Sequence, residues 1–187
     1  MPDPTYRPGP LAAVHRAAPP PGTGAWTLVF VRELRHPVDR VWAALTEPDQ
    51  LRRWAPYAPD RDLAAPGEVT LAMRDGHGGE TPVTGTVTAC EPPRLLEHAF
   101  GEDVLRWELE PTAGGTRLTL RHTSGAEPGF ASSAAAGWHL CLDVADALLA
   151  GTPCGPVVGE RAREYGWAEL NDRYAEVLGA GSAAGQP

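Results

Sequence analysis

Two histidines fall in neighbouring alternating segments: LLEHAF carries His98 and TRLTLRH ends in His122. Period-two alternation puts both on the inner face of one sheet. Imidazoles that face a cavity can act as acid and base, or as hydrogen-bonding anchors for a ligand. His98 reads as a satisfied core histidine. His122 lies on the last strand before a long helix and is the stronger candidate. On that helix His139 and Asp143 stand four residues apart, the spacing of a metal pair. Two ligands fall short of a usual site, so no metal is implied and the pair reads as a solvated polar face. Arg32 interrupts an apolar strand face. It reads as a rim position with its stem packed and its head in water; the alternative is a counter-ion for an acidic ligand. No GxSxG, HExxH, P-loop or dinucleotide-binding glycine pattern occurs. DGHGGE lies between strands and opens no helix, so it is a hairpin turn and not a phosphate cradle. No cofactor is implied.

The elements that must position these residues can be read in order. WTLVFVREL alternates, with Trp26, Leu28, Phe30 and Leu34 on one face, and predicts a strand. PVDRVWAALTE predicts a helix opened by Pro37 and stopped by Pro48, and DQLRRW a second short one. APYAPDRDLAAPG reads as irregular. A meander follows: EVTLAM, PVTGTVTAC, LLEHAF, DVLRWELE and TRLTLRH, separated by turns. If the last turn centres on Ala113-Gly114, then Leu109 faces Leu118, Trp107 faces Leu120 and Leu105 faces His122. A turn near Gly101-Glu102 adds Leu96, His98 and Phe100 to that face. TSGAEPGFASSAAA leads into the helix at GWHLCLDVADALLAG, with Ser132 or Ser133 as its cap. Its apolar arc spans roughly 220°, far beyond the stripe of a surface helix. One side should therefore meet the sheet and another the last helix, REYGWAELNDRYAEVLG, with its stripe of Trp167, Leu170, Tyr174 and Val177/Leu178 and Gly179 as its stop. The class is α+β, a helix laid across a curved antiparallel sheet.

The chain has 187 residues, enough for one domain with a substantial core. Residues 1–24 form a Pro/Ala-rich segment expected to be partly disordered, with LAAVHRA a short strand or helical turn. Residues 25–152 form the main domain, 153–179 a helical extension packing on it, and 180–187 a disordered tail. Sixteen basic against 24 acidic residues give a net charge of -8, which disfavours nucleic acid or an anionic membrane as partner. The three cysteines, Cys90, Cys141 and Cys154, have no CxxC spacing and suggest a reduced, cytoplasmic setting, with Cys141 a small buried hydrophobe.

HPVDRVWAALTEPDQLRRW resembles a family signature: proline, Val-Trp, a T-x-P step and a closing tryptophan. EPPRLLEHAF and LEPTAGGTRLTLRHTSG resemble that family's later strand pairs, and AAGWHLCLDVADALLAG its C-terminal helix. The family is the START-like, or SRPBCC, superfamily with its helix-grip fold. The branch is that of the activator of the heat-shock-protein-90 ATPase, and the last helix resembles an extension in bacterial members.

The resemblance implies a cavity between sheet and long helix for a small lipophilic or amphipathic ligand. Its expected lining is Phe100, Trp107, Leu118, Leu120, His122, Trp138 and Cys141, with Trp54 closing the mouth. A non-enzymatic binding protein, stress-related or regulatory, is the leading expectation. A cyclase or hydrolase using His122, with His98 beside it, is the second. A chaperone cofactor or interaction protein is the third; nothing in the chain resembles the separate N-terminal domain of the eukaryotic activators. The protein is expected to be a monomer or a homodimer joined through a sheet edge or the last helix.

Overall fold

The computed structural model of the protein describes residues 6–17 and 24–183. Parts of the segments expected to be disordered, residues 1–5 and 18–23 of 1–24 and 184–187 of the 180–187 tail, lie outside the described residues; residues 180–183 of that tail continue a helix. Eight strands form one antiparallel sheet in the order β1-β2-β8-β7-β6-β5-β4-β3. Strand β1 is Ala13–Ala17, β2 Trp26–Leu34, β3 Tyr57–Pro59, β4 Gly67–Arg74 and β5 Glu80–Glu91. Strands β6 (Leu95–Phe100), β7 (Asp103–Thr112) and β8 (Gly115–Ser124) complete the meander. Two short helices, α1 (Val38–Thr46) and α2 (Pro48–Leu51), follow β2.

The register is the one side-chain parity requires. Leu109 pairs with Leu118, Trp107 with Leu120 and Leu105 with His122. Across the preceding turn Leu96 pairs with Trp107, His98 with Leu105 and Phe100 with Asp103. A one-residue slip would turn Trp107 and Leu120 into water, so burial of the inner face pins the pairing. A bulge between Val87 and Ala89 interrupts the β5–β6 ladder and bends the strand. The outer face is charged: Arg106 bridges Glu97 and Glu108, and Arg121 reaches Glu108.

Helix α3 (Phe130–Leu149) crosses the inner face and buries Leu140, Leu142, Val144 and Ala145. Each fully buried leucine contributes roughly 1.5–3 kcal/mol relative to exposure. The helix starts earlier than Ser132: the amide of Phe130 donates to the Glu127 carbonyl at 2.9 Å. Neither serine caps it. Both hydroxyls donate instead to Asn171 Oδ1, at 3.0 and 3.1 Å, on helix α4 (Trp167–Ala183). Helix α4 buries Leu170, Tyr174 and Leu178 against α3, while Val177 is exposed. It continues through Gly179, the expected stop, into an alanine-containing end that tolerates helix. A 3₁₀ turn at Gly159–Tyr165 precedes it, where REY was expected to begin the helix; Gly166, left-handed at φ +86°, separates the two. The stretch around Tyr57, expected to be irregular, contributes the fully buried strand β3.

The His139 and Asp143 pair on α3 is not a solvated face. Residues 6–12 run over it before β1. Tyr6 Oη and the Gly9 amide both donate to Asp143, at 2.9 and 2.8 Å, and Arg32 on β2 forms an ion pair with the same carboxylate. Arg32 therefore has its charge neutralised inside the fold rather than in water or on a ligand. His139 is fully buried: its Nδ1 accepts from Tyr174 Oη at 2.8 Å, and that oxygen accepts from the Ala12 amide at 3.0 Å. The third covering layer of α3 is thus the chain's own N-terminal segment, fixed by one aspartate.

Candidate functional site

A half-open cleft of about 410 Å³ lies against the N-terminal half of α3, within the size range of small-molecule sites. Four elements build it. Helix α3 supplies Ala134, Gly137, Trp138 and Cys141, which recur three or four residues apart and so share one face. The sheet supplies Phe100 from the end of β6 and His122 from β8. Pro56 closes one side. The opposite wall is the segment between α3 and α4, with Val157, Val158, Ala162, Arg163 and Trp167.

Beside Trp138 the α3 wall is made of small residues, Ala134, Gly137 and Cys141, and at Gly137 it is empty. A Cβ placed there would meet nothing within 4 Å. Glycine inside a helix costs roughly 0.5–1 kcal/mol relative to alanine, so α3 carries a destabilising residue in the wall of the cleft.

His122 is fixed on both sides. The Trp138 indole N–H donates to Nδ1 at 3.1 Å, and Nε2 lies 2.8 Å from Asp103 Oδ2. Because Nδ1 accepts, Nε2 carries the proton and donates to the carboxylate. Partial burial pushes the Asp103 carboxyl up, but hydrogen bonds from His122 and Ser124 outweigh it and hold the group below the usual range. The ring is an apolar wall with both nitrogens engaged, not a base with a free lone pair. Phe100 and Trp138 stand edge-on to it, with ring centroids 6.1 and 6.2 Å away.

His98 lies behind this floor. Its Nδ1–H donates to the Ala99 carbonyl at 2.9 Å, and its Nε2 accepts from Tyr57 Oη at 3.1 Å. Burial lowers its pKa to about 4, so it is neutral. Burial likewise pushes the Tyr57 hydroxyl and the Cys141 thiol up, the latter to about 12, so the thiol in the cleft floor is not a nucleophile.

Of the residues expected to line a cavity, Phe100, His122, Trp138 and Cys141 come together at the cleft. Trp54, Trp107, Leu118 and Leu120 do not reach it. Trp54 is fully buried, donates to the Ala44 carbonyl at 2.9 Å and packs edge-on against Trp107 at 6.2 Å. The deep space between sheet and helix is filled by these side chains, and the open volume lies beside the N-terminal half of α3. The sequence reading missed Ala134, Gly137 and the whole 157–167 wall. The glycine in the middle of the apolar helix was the signal available.

A curved antiparallel sheet gripping a long helix is the START-like helix-grip fold, here with a cleft beside the helix. The family model described as activator of Hsp90 ATPase homolog 1-like protein matches residues 35–150, and the chain belongs to that family. No curated protein matches the sequence. Among solved structures, the crystal structure of CalU16 from Micromonospora echinospora is similar at 25% identity, covering 89% of this chain and 96% of that one with a TM-score of 0.63. Its solution structure gives 22% identity, 97% and 100% coverage and a TM-score of 0.65. Protein NE0264 from Nitrosomonas europaea is 28% identical over 67% of this chain and 94% of its own, with a TM-score of 0.57. Membership supports a ligand-binding domain in general. Among the described residues no helix is long and apolar enough to cross a membrane.

Proposed function

We propose that the protein holds a small lipophilic or amphipathic molecule in the cleft between α3, the β6 and β8 ends and the 157–167 wall. The observation that carries this reading is the empty wall at Gly137, facing aromatic and aliphatic side chains in a volume that suits one small molecule. Binding without chemistry is favoured by the engaged nitrogens of His122 and the neutral, buried His98. A cyclase or hydrolase needs a positioned group with a free lone pair or an acidic proton at the reacting atom, and neither histidine offers one to the cleft.

Gly137 also gives the test. Gly137→Leu fills the open wall, and Gly137→Ala adds one methyl group while improving the helix. With 1-anilinonaphthalene-8-sulfonate as the apolar probe, the wild type should bind and Gly137→Leu should lose at least tenfold in affinity with its fold intact. Equal binding by the two proteins would place the ligand elsewhere.

A further inference from the structure

One wall of the cleft is pinned from behind by a backbone clasp. Nearly half of its lining comes from residues 156–165, a segment bounded by two left-handed glycines, Gly155 at φ +77° and Gly166 at φ +86°. Away from its ends this segment meets the β4–β5 turn, at Asp75-Gly76. The amide of Glu160 donates to the Asp75 carbonyl at 3.0 Å. A Cβ on Gly76 would overlap the Val158 carbonyl oxygen, and a Cβ on Gly159 would overlap the Asp75 carbonyl oxygen. Two glycines, one on each side, thus let the two backbones touch. Glycine is the residue that permits such an approach, and both are left-handed, at φ +91° and φ +58°.

The turn is preset for this role. The Asp75 carboxylate accepts the amides of His77 at 2.7 Å and Gly79 at 3.0 Å, which folds DGHGG on itself and leaves the Asp75 carbonyl free for Glu160. Across the same junction His77 Nε2 lies 3.4 Å from Glu160 Oε2. Inside the segment, only Val157, Val158 and Ala162 are buried. The rest of its hold is the Glu160 amide bond, the exposed His77–Glu160 pair, the glycine contact and the Tyr165 ring against Tyr6, 6.0 Å between centroids; a short segment with so few buried side chains belongs to the part of a fold where local opening costs least.

We infer that residues 156–165 are a lid over the cleft, and that the Asp75-Gly76 to Val158-Gly159 clasp sets how often it opens. The inference rests on the cleft being the ligand site, and adds how that site is entered. Opening would lift Val157, Val158 and Ala162 from the face of α3, pivoting at Gly155 and Gly166, while the sheet and α3 stay in place.

The turn itself holds the control. Gly78 is also left-handed, at φ +100°, but a Cβ there meets nothing within 4 Å. Gly78→Ala therefore strains the turn without touching the lid, whereas Gly76→Ala strains it equally and collides with Val158. Amide hydrogen exchange reads the lid without any ligand. The expected result is exchange roughly tenfold faster at residues 156–165 in Gly76→Ala and Gly159→Ala, with Gly78→Ala unchanged and α3 and β6–β8 still protected. Association of 1-anilinonaphthalene-8-sulfonate should accelerate in the same two variants. Equal lid exchange in Gly76→Ala and Gly78→Ala, or loosening spread over the whole sheet, would overturn the inference. Lid exchange that responds as expected in a protein that binds no apolar probe would keep the clasp and remove the ligand site.

Discussion

Trp138 donates its indole N–H to His122 Nδ1 at 3.1 Å, and that bond makes the histidine a donor towards Asp103 rather than a base facing the cleft. The pair ties the middle of α3 to the last strand of the meander. Trp138→Phe keeps the aromatic wall and removes the donor. It should cost about 1–2 kcal/mol in urea unfolding, the range for a buried hydrogen bond left half made. Imidazole nitrogen NMR should show the Nε2–H tautomer in the wild type and a freed Nδ1 in the variant. An Nδ1–H tautomer in the wild type would contradict the assignment.

Asp143 should be among the least replaceable polar residues. Its carboxylate neutralises Arg32, and the side chains of the two are only 11% and 13% exposed. Asp143→Ala leaves a buried guanidinium unpaired and releases Tyr6 and Gly9. The expected loss is about 3–5 kcal/mol. Replacing both partners, as Arg32→Met with Asp143→Leu, should recover much of it, because the attraction of a buried pair largely offsets its desolvation. A double-mutant cycle in urea measures this. Independent, additive losses would show that the pair does not act as a unit.

Acid should destabilise the protein earlier than its carboxylates would. Burial lowers the pKa of both His98 and His139 to about 4, from the ordinary 6.5. Between these values the unfolded chain binds protons that the folded chain refuses, so stability rises with pH across the window and falls as pH drops from about 6.5 towards 4. Each ring contributes roughly 3 kcal/mol over the full range. Unfolding free energy measured from pH 7 to pH 4 should show this slope, and His98→Gln should reduce it. A flat profile would mean that neither ring resists protonation in the fold.

Gly137→Ala should raise stability by about 0.5–1 kcal/mol, since the position is helical and the new methyl group enters open space. Thermal unfolding reads the sign directly. A loss of stability would show that the α3 wall is packed at this point.

The sheet was legible because its signals are local and periodic. The Leu105, Trp107 and Leu109 alternation and the turn at Ala113-Gly114 are enough to set their partners on β8, and the register follows. The all-round apolar α3 correctly demanded cover on more than one side. What was not legible depends on segments far apart in sequence. His139 and Asp143 look like a solvated face until residues 6–12 are laid over them, and nothing in TYRPGPLAA announces that Tyr6 and Gly9 seek an aspartate over 130 positions away. Tyr57 hides among prolines that read as loop, yet it anchors His98. The lid reads as linker because CGPVVGE is built of glycine, proline and two valines, and its glycines acquire meaning only opposite Gly76. Trp107 was legible as inward-facing, but parity gives direction and not depth; Trp54, expected at the mouth, lies in the core against it.

The most direct measurement is native mass spectrometry of the gently purified protein beside its denatured mass, for the wild type and Gly137→Leu. The account predicts a discrete added mass in the native wild type, absent after denaturation and lost in the variant. A bare native mass in both proteins, with no apolar probe bound by the wild type, would contradict it and leave the cleft an unfilled gap beneath the lid.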